Sequence, residues 1–216
     1  MTIPSAPAPQ NLVLSDEQRA LADSLFAAID QRDGEAVILL APLIDNLDSH
    51  RQAFTGDHPL AFAMRRALPL DVIAPLIIKS DPRLRDSRGY TPLMIACWGQ
   101  AFASEEQPAQ YFVDLIGLLL PRSDPLALNF RGNSALHCAI FARSPQGVAL
   151  VLPASDLSQT DSSGLTPIEQ AREDAADPLR DAIVDLILAE MRSRELAAIV
   201  SASACPQRPS TPALRL

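Results

Sequence analysis

The sequence predicts an all-α protein, a solenoid of stacked helix-turn-helix units joined by short hairpin loops. Three observations carry that expectation. A glycine-centred motif recurs four times at a period near 33 residues, which is how stacked-repeat architectures announce themselves. The segments between the motifs space their apolar residues helically, as Leu179, Ile183, Leu186, Ile187, Met191, Leu196 and Ile199 do over Asp177–Val200. Alternating strand-like runs are absent, and aromatic residues make up only 5% of the chain.

The elements follow in chain order. Ser15-Asp16-Glu17-Gln18 fits a capping box opening a first helix toward Ile29. Four motifs then align: Gly56-Asp57-His58-Pro59-Leu60, Gly89-Tyr90-Thr91-Pro92-Leu93, Gly132-Asn133-Ser134-Ala135-Leu136 and Gly164-Leu165-Thr166-Pro167-Ile168. Their glycines stand 33, 43 and 32 residues apart. Asp86, Asn129 and Asp161 precede three of them by three positions, and with the glycine they build a tight turn, because Asx side chains bond nearby backbone. Thr or Ser serves as the helix N-cap and Pro takes the first helical position, where its missing N–H costs nothing. Ala63, Ala96, Ala139 and Ala171 follow the motif's Leu or Ile by three residues, so both lie on one helix face and the small side chain admits a close neighbour. A second, greasier helix is expected after each: Leu70–Ile78, Tyr111–Leu120, Pro145–Leu152 and Leu179–Leu188.

These residues resemble the ankyrin repeat. Thr91-Pro92-Leu93-Met94-Ile95-Ala96 and Ser134-Ala135-Leu136-His137-Cys138-Ala139 are close to that family's Thr-Pro-Leu-His-x-Ala core. With a degenerate first unit (Leu25–Ala28, a turn at Asp33-Gly34, a helix Glu35–Leu43), the resemblance implies five repeats near 15–47, 48–80, 81–123, 124–155 and 156–200. Together they form one domain over 15–203. The Pro-rich ends, 1–14 and 204–216, are expected as flexible tails, because neither holds enough apolar surface to offset ordering. The second unit departs from the pattern, with Ala53 for Asp and His58 for Thr, so an irregular hairpin is expected. The third carries about ten extra residues after Trp98, near Gly99–Gln110. The last should end in a long helix whose outer face is made polar by Arg172, Glu173, Asp174, Arg180 and Arg192.

Composition narrows the function. Twenty-six acidic against eighteen basic residues give a net charge of −8, a poor match for nucleic acid. Three cysteines make no disulfide framework, which points to a reducing compartment and a cytoplasmic protein. Apolar runs such as Ala36–Ile44 and Leu115–Leu120 fall short of a membrane span, and the N-terminus has no basic and apolar leader pattern. One lysine beside seventeen arginines reads as the base-composition bias of a GC-rich bacterial genome.

No catalytic, cofactor-binding or metal-ligating residue is expected. His137 occupies the repeat's own histidine position, where the ring bonds a turn. His50 and His58 fall in a predicted loop without ligands at zinc spacing. Cys97 and Cys138 take helix positions suited to small apolar residues, and no Gly-rich phosphate loop or nucleophile elbow is present. The resemblance implies instead a concave surface of hairpin tips and first helices. It places there Phe54, Arg65, Arg66, Arg88, Tyr90, Trp98, Phe130, Arg131, Asn133 and Phe141, together with Asp57. Trp, Tyr and Arg dominate binding hot spots. The expected function is a protein-protein interaction module: an adaptor, an inhibitor or immunity protein, or an effector delivered into a host cell. Its partner is another protein, one with an acidic segment if the arginines form a positive rim. The chain is expected to be a monomer when unbound, with no nucleic acid and no membrane. A small-molecule-binding or enzymatic use of the same groove is the alternative.

Overall fold

The computed structural model describes residues 15–102, 108–173 and 177–203. The expected tails, and residues 103–107 of the 99–110 insert, lie outside the described residues. Those residues hold ten α-helices and no strand: α1 (Asp16–Asp30), α2 (Gly34–Leu40), α3 (Pro59–Arg65), α4 (Leu70–Lys79), α5 (Pro92–Gly99), α6 (Ala109–Leu119), α7 (Ala135–Phe141), α8 (Pro145–Val151), α9 (Pro167–Arg172) and α10 (Pro178–Ser203). Helices pair in sequence, α1 with α2 through α9 with α10. The odd-numbered helices also touch one another in order, and so do the even-numbered ones. The result is two parallel rows of helices with the core between them.

That core is what the motif spacing requires. Leu60, Leu93 and Leu136 are sealed from solvent, as are Ala63, Ala96, Ala139 and Ala171. Ile73, Leu76, Leu115, Ile116, Val148 and Val151 close it from the other row. Burying these side chains is the main favourable term, because no unit could shield its apolar face alone.

Each hairpin is built by its own side chains. Asp86 Oδ1 accepts from the N–H groups of Arg88 and Tyr90, both at 2.8 Å. Asn129 does the same for Arg131 and Asn133, and Asp161 for Ser163 and Leu165. The four hairpin glycines all take positive φ, between 70° and 81°. Consecutive hairpins are stitched through backbone: Phe130 N–H donates to the Arg88 carbonyl at 3.4 Å, and Ser162 N–H to that of Arg131 at 2.8 Å.

The second hairpin is irregular, and its substitute is visible. Gln52 takes over from the missing Asp. Its Oε1 accepts from Phe54 N–H and Thr55 N–H, each at 2.7 Å, and its longer side chain spans a turn one residue longer. His58 is not in an open loop. It is the N-cap of α3, fully buried, with Nδ1 accepting from Ala61 N–H at 3.4 Å. His50 does lie in a loop, but it is buried there.

Two further devices were not legible in the sequence. The turns inside three helix pairs place a non-glycine residue at positive φ: Arg32 (58°), Ala67 (52°) and Arg143 (54°). In each, the residue after it donates back to the third-last helical carbonyl, the Schellman pattern, as Leu68 N–H does to Ala63. Along the even row, cations cap the carbonyl ends of neighbouring helices. Lys79 donates to Ala41 and Pro42 after α2, Arg122 to Ile77 and Ile78 at the end of α4, and Arg194 to Leu152 and Ser155 after α8. Charge there also complements the negative end of the helix dipole. Arg180, expected on the polar outer face, is instead buried and donates to the Gln170 carbonyl at 3.0 Å.

Candidate functional site

The hairpin tips and the odd-numbered helices border a groove of about 570 Å³ lined by Ser87, Arg88, Tyr90, Trp98, Phe130 and Arg131. Trp98 forms its floor near the end of α5. Tyr90 stacks on the indole at a centroid distance of 5.6 Å, and Phe141 of α7 leans on it at 6.5 Å. Tyr90 and Trp98 are half-buried, while Phe130 and Phe141 are 73% and 56% exposed. The groove continues on either side. One extension is lined by Phe54, Thr55, Asp57, Arg65, Ser87 and Arg88, and the other by Asn133, His137, Cys138, Phe141 and Gln170. Phe54 stands 94% exposed at the rim. Behind Trp98, Met64, Ile95 and Phe112 line an apolar recess of about 260 Å³. Their apolar helical pattern is that of core residues, so the sequence carried no sign of the recess.

The charged groups divide into two kinds. Arg65 is committed to the fold: its Nε lies 3.3 Å from Asp57 Oδ2, and its terminal nitrogen bonds Asp86 Oδ2. Asp57 was expected at the surface, but it is buried behind Arg65, and burial raises its pKa against the opposing pull of that guanidinium. Arg66 turns away from Trp98, pairing with Asp30 of α1 and lying 5.1 Å over the Phe62 ring. Arg88 and Arg131 are exposed, and their side chains make no ion pair or hydrogen bond with any described residue. Each projects from the residue just before a hairpin glycine, so a rigid turn fixes its origin. The expected residues therefore separate into a groove set (Arg88, Tyr90, Trp98, Phe130, Arg131, Asn133, Phe141), a rim residue (Phe54) and two arginines engaged within the fold (Arg65, Arg66).

The nucleophile candidates sit in unreactive surroundings. Burial pushes the Cys138 thiol up to about 12 and raises that of Cys97 as well, so neither forms thiolate at neutral pH. His137 Nδ1 accepts from Ser134 N–H at 3.3 Å, which leaves the proton on Nε2 and the ring neutral. Burial lowers its pKa, partly offset by the Leu165 backbone and by Asp161. Among the described residues no group of three His, Cys, Asp or Glu converges as metal ligands, and no helix is long and apolar enough to cross a membrane.

No protein-family model matches the sequence, and no curated protein matches it.

Proposed function

We propose that the chain is an ankyrin-type repeat protein whose concave groove binds a partner protein, in the manner of an adaptor, an inhibitor or an effector, and that it performs no chemistry of its own. The repeat reading is supported by the paired helices, the positive-φ glycines and the capped first helices. The binding reading rests on one observation. Trp98, Tyr90, Phe130 and Phe141 gather on one groove beside two exposed arginines whose side chains make no ion pair or hydrogen bond with any described residue. A fold gains little by holding large aromatic rings at its surface; a complementary partner gains much from rigid rings that lose little entropy on binding.

The test is purification of the full chain from native lysate, compared with a Trp98→Ala/Phe141→Ala double variant of matched thermal transition. A stoichiometric protein partner that depends on both rings, and that protects residues 87–98 and 130–141 from hydrogen exchange, is the expected result. A co-purified metabolite, or a partner indifferent to both rings, would refute it.

A further inference from the structure

Resting on that reading, we propose that the groove's occupant is an acidic peptide segment of the partner, with one carboxylate side chain held between Arg88 and Arg131 and a neighbouring apolar side chain laid on Trp98 and Phe130. The two arginines occupy the same place in consecutive hairpins. The Phe130 N–H bond to the Arg88 carbonyl joins those hairpins directly, so the guanidiniums arise from one connected backbone and line one groove. Guanidinium forks match carboxylates in geometry as well as charge. Among the described residues, the groove around them is lined by two cations and no anion, and its extension toward Phe54 adds the single acid Asp57. The acids of the adjoining hairpins, Asp57 and Asp86, are buried and ion-paired with Arg65, and Asp57 feels Arg88 more weakly than it feels Arg65. Ser87 is neutral, and its hydroxyl proton is already donated to the Thr55 carbonyl at 2.9 Å.

The aromatic surface selects what accompanies the carboxylate. Phe130 stands open beside Arg131, and the Tyr90–Trp98 stack runs beneath. An apolar side chain adjacent to the acid covers both. A polyanion is disfavoured, because a protein of net charge −8 repels a long row of phosphates, whereas one or two carboxylates feel mainly the local pair.

The sole tryptophan is Trp98, so its emission reports occupancy of the groove directly. The probe is the synthetic peptide Ser-Glu-Phe-Gly-Ser-Glu-Phe-Gly, titrated into the full chain at low salt. Its Gln-for-Glu counterpart and heparin serve as comparisons. A saturable change in Trp98 emission is expected with the acidic peptide, at least about tenfold weaker for the Gln counterpart and falling with added salt. Arg88→Ala and Arg131→Ala should each weaken it about tenfold, with the lysine variants in between and all thermal transitions unchanged. Equal binding of both peptides, indifference to the arginine variants, no saturable signal, or a response to heparin alone would each overturn the proposal. If the ring-dependent partner still protects residues 87–98 while the acidic peptide is silent, only the carboxylate inference falls. If the ring-dependent partner is missing too, the protein-binding reading falls with it.

Discussion

Gly89 stands so close to Phe130 that a β-carbon at position 89 would lie 2.8 Å from the Phe130 backbone nitrogen. The hairpin glycine is thus needed twice, for its φ of 81° and for the approach of the next hairpin. Gly164 has nearly the same φ, 80°, but a β-carbon there would meet nothing within 4 Å. The pair separates the two demands. Gly164→Ala should cost about 1 kcal/mol, the conformational penalty alone. Gly89→Ala should cost at least about 2 kcal/mol, because backbone must move as well. Urea unfolding of both variants measures the difference.

Ala67 holds φ 52° between α3 and α4 with no glycine to relieve it. Ala67→Gly should stabilise the protein by about 0.5 kcal/mol, the left-handed penalty removed less the extra freedom of the unfolded chain. The same change at Arg32 or Arg143 should gain less. Arg32 also donates to the Ala67 carbonyl at 3.2 Å, and Arg143 pairs with Asp177 at 3.2 Å. Thermal transitions of the three variants give the order.

Arg65 faces two buried carboxylates at once. Arg65→Ala strands both charges and should cost about 2–3 kcal/mol, reduced from the fully buried case because a quarter of the Arg65 side chain is exposed. Adding Asp57→Asn should recover part of that loss by removing one stranded charge. No recovery in the double variant would mean that Arg65 acts by packing alone.

His58 carries an acid sensitivity. Burial, with Arg51 and Arg65 adding to it and Asp86 opposing, lowers its pKa from 6.5 to about 4. The native ring stays neutral where the unfolded ring takes a proton, so stability is intact above pH 6.5 and falls as pH drops toward 4. The full loss is about 3 kcal/mol. His58→Thr keeps an N-cap acceptor and has no proton to take up, so it should flatten this limb of the stability–pH curve. A residual slope is expected from His50 and His137, whose pKa values burial also lowers. An unchanged slope in His58→Thr would assign the sensitivity elsewhere.

How far the sequence reaches depends on the range of the interaction. Helix positions were legible because caps, prolines and glycines act within a few residues. Asp86, Thr91 and Pro92 perform in the structure the turn, cap and first-turn roles that their types predict. The exposure of Phe54, Phe130 and Phe141 followed from their places relative to the motif. Gln52 standing in for Asp was not legible, since glutamine carries no turn preference and works here only because its hairpin is one residue longer.

The amino-acid sequence alone determined the helical class, the order and approximate bounds of the helices, the alanine seam between units and the arginines and rings placed at hairpin tips. Those features are local or repeat at a fixed period, so the chain states them wherever it is read. Only the tertiary structure decided that Arg65 answers Asp57 and Asp86, that Arg194 closes the end of α8, and that Arg88 and Arg131 are left over beside Trp98. Charge pairing depends on which side chains meet after folding, and opposite charges far apart in sequence have no pattern by which one names the other.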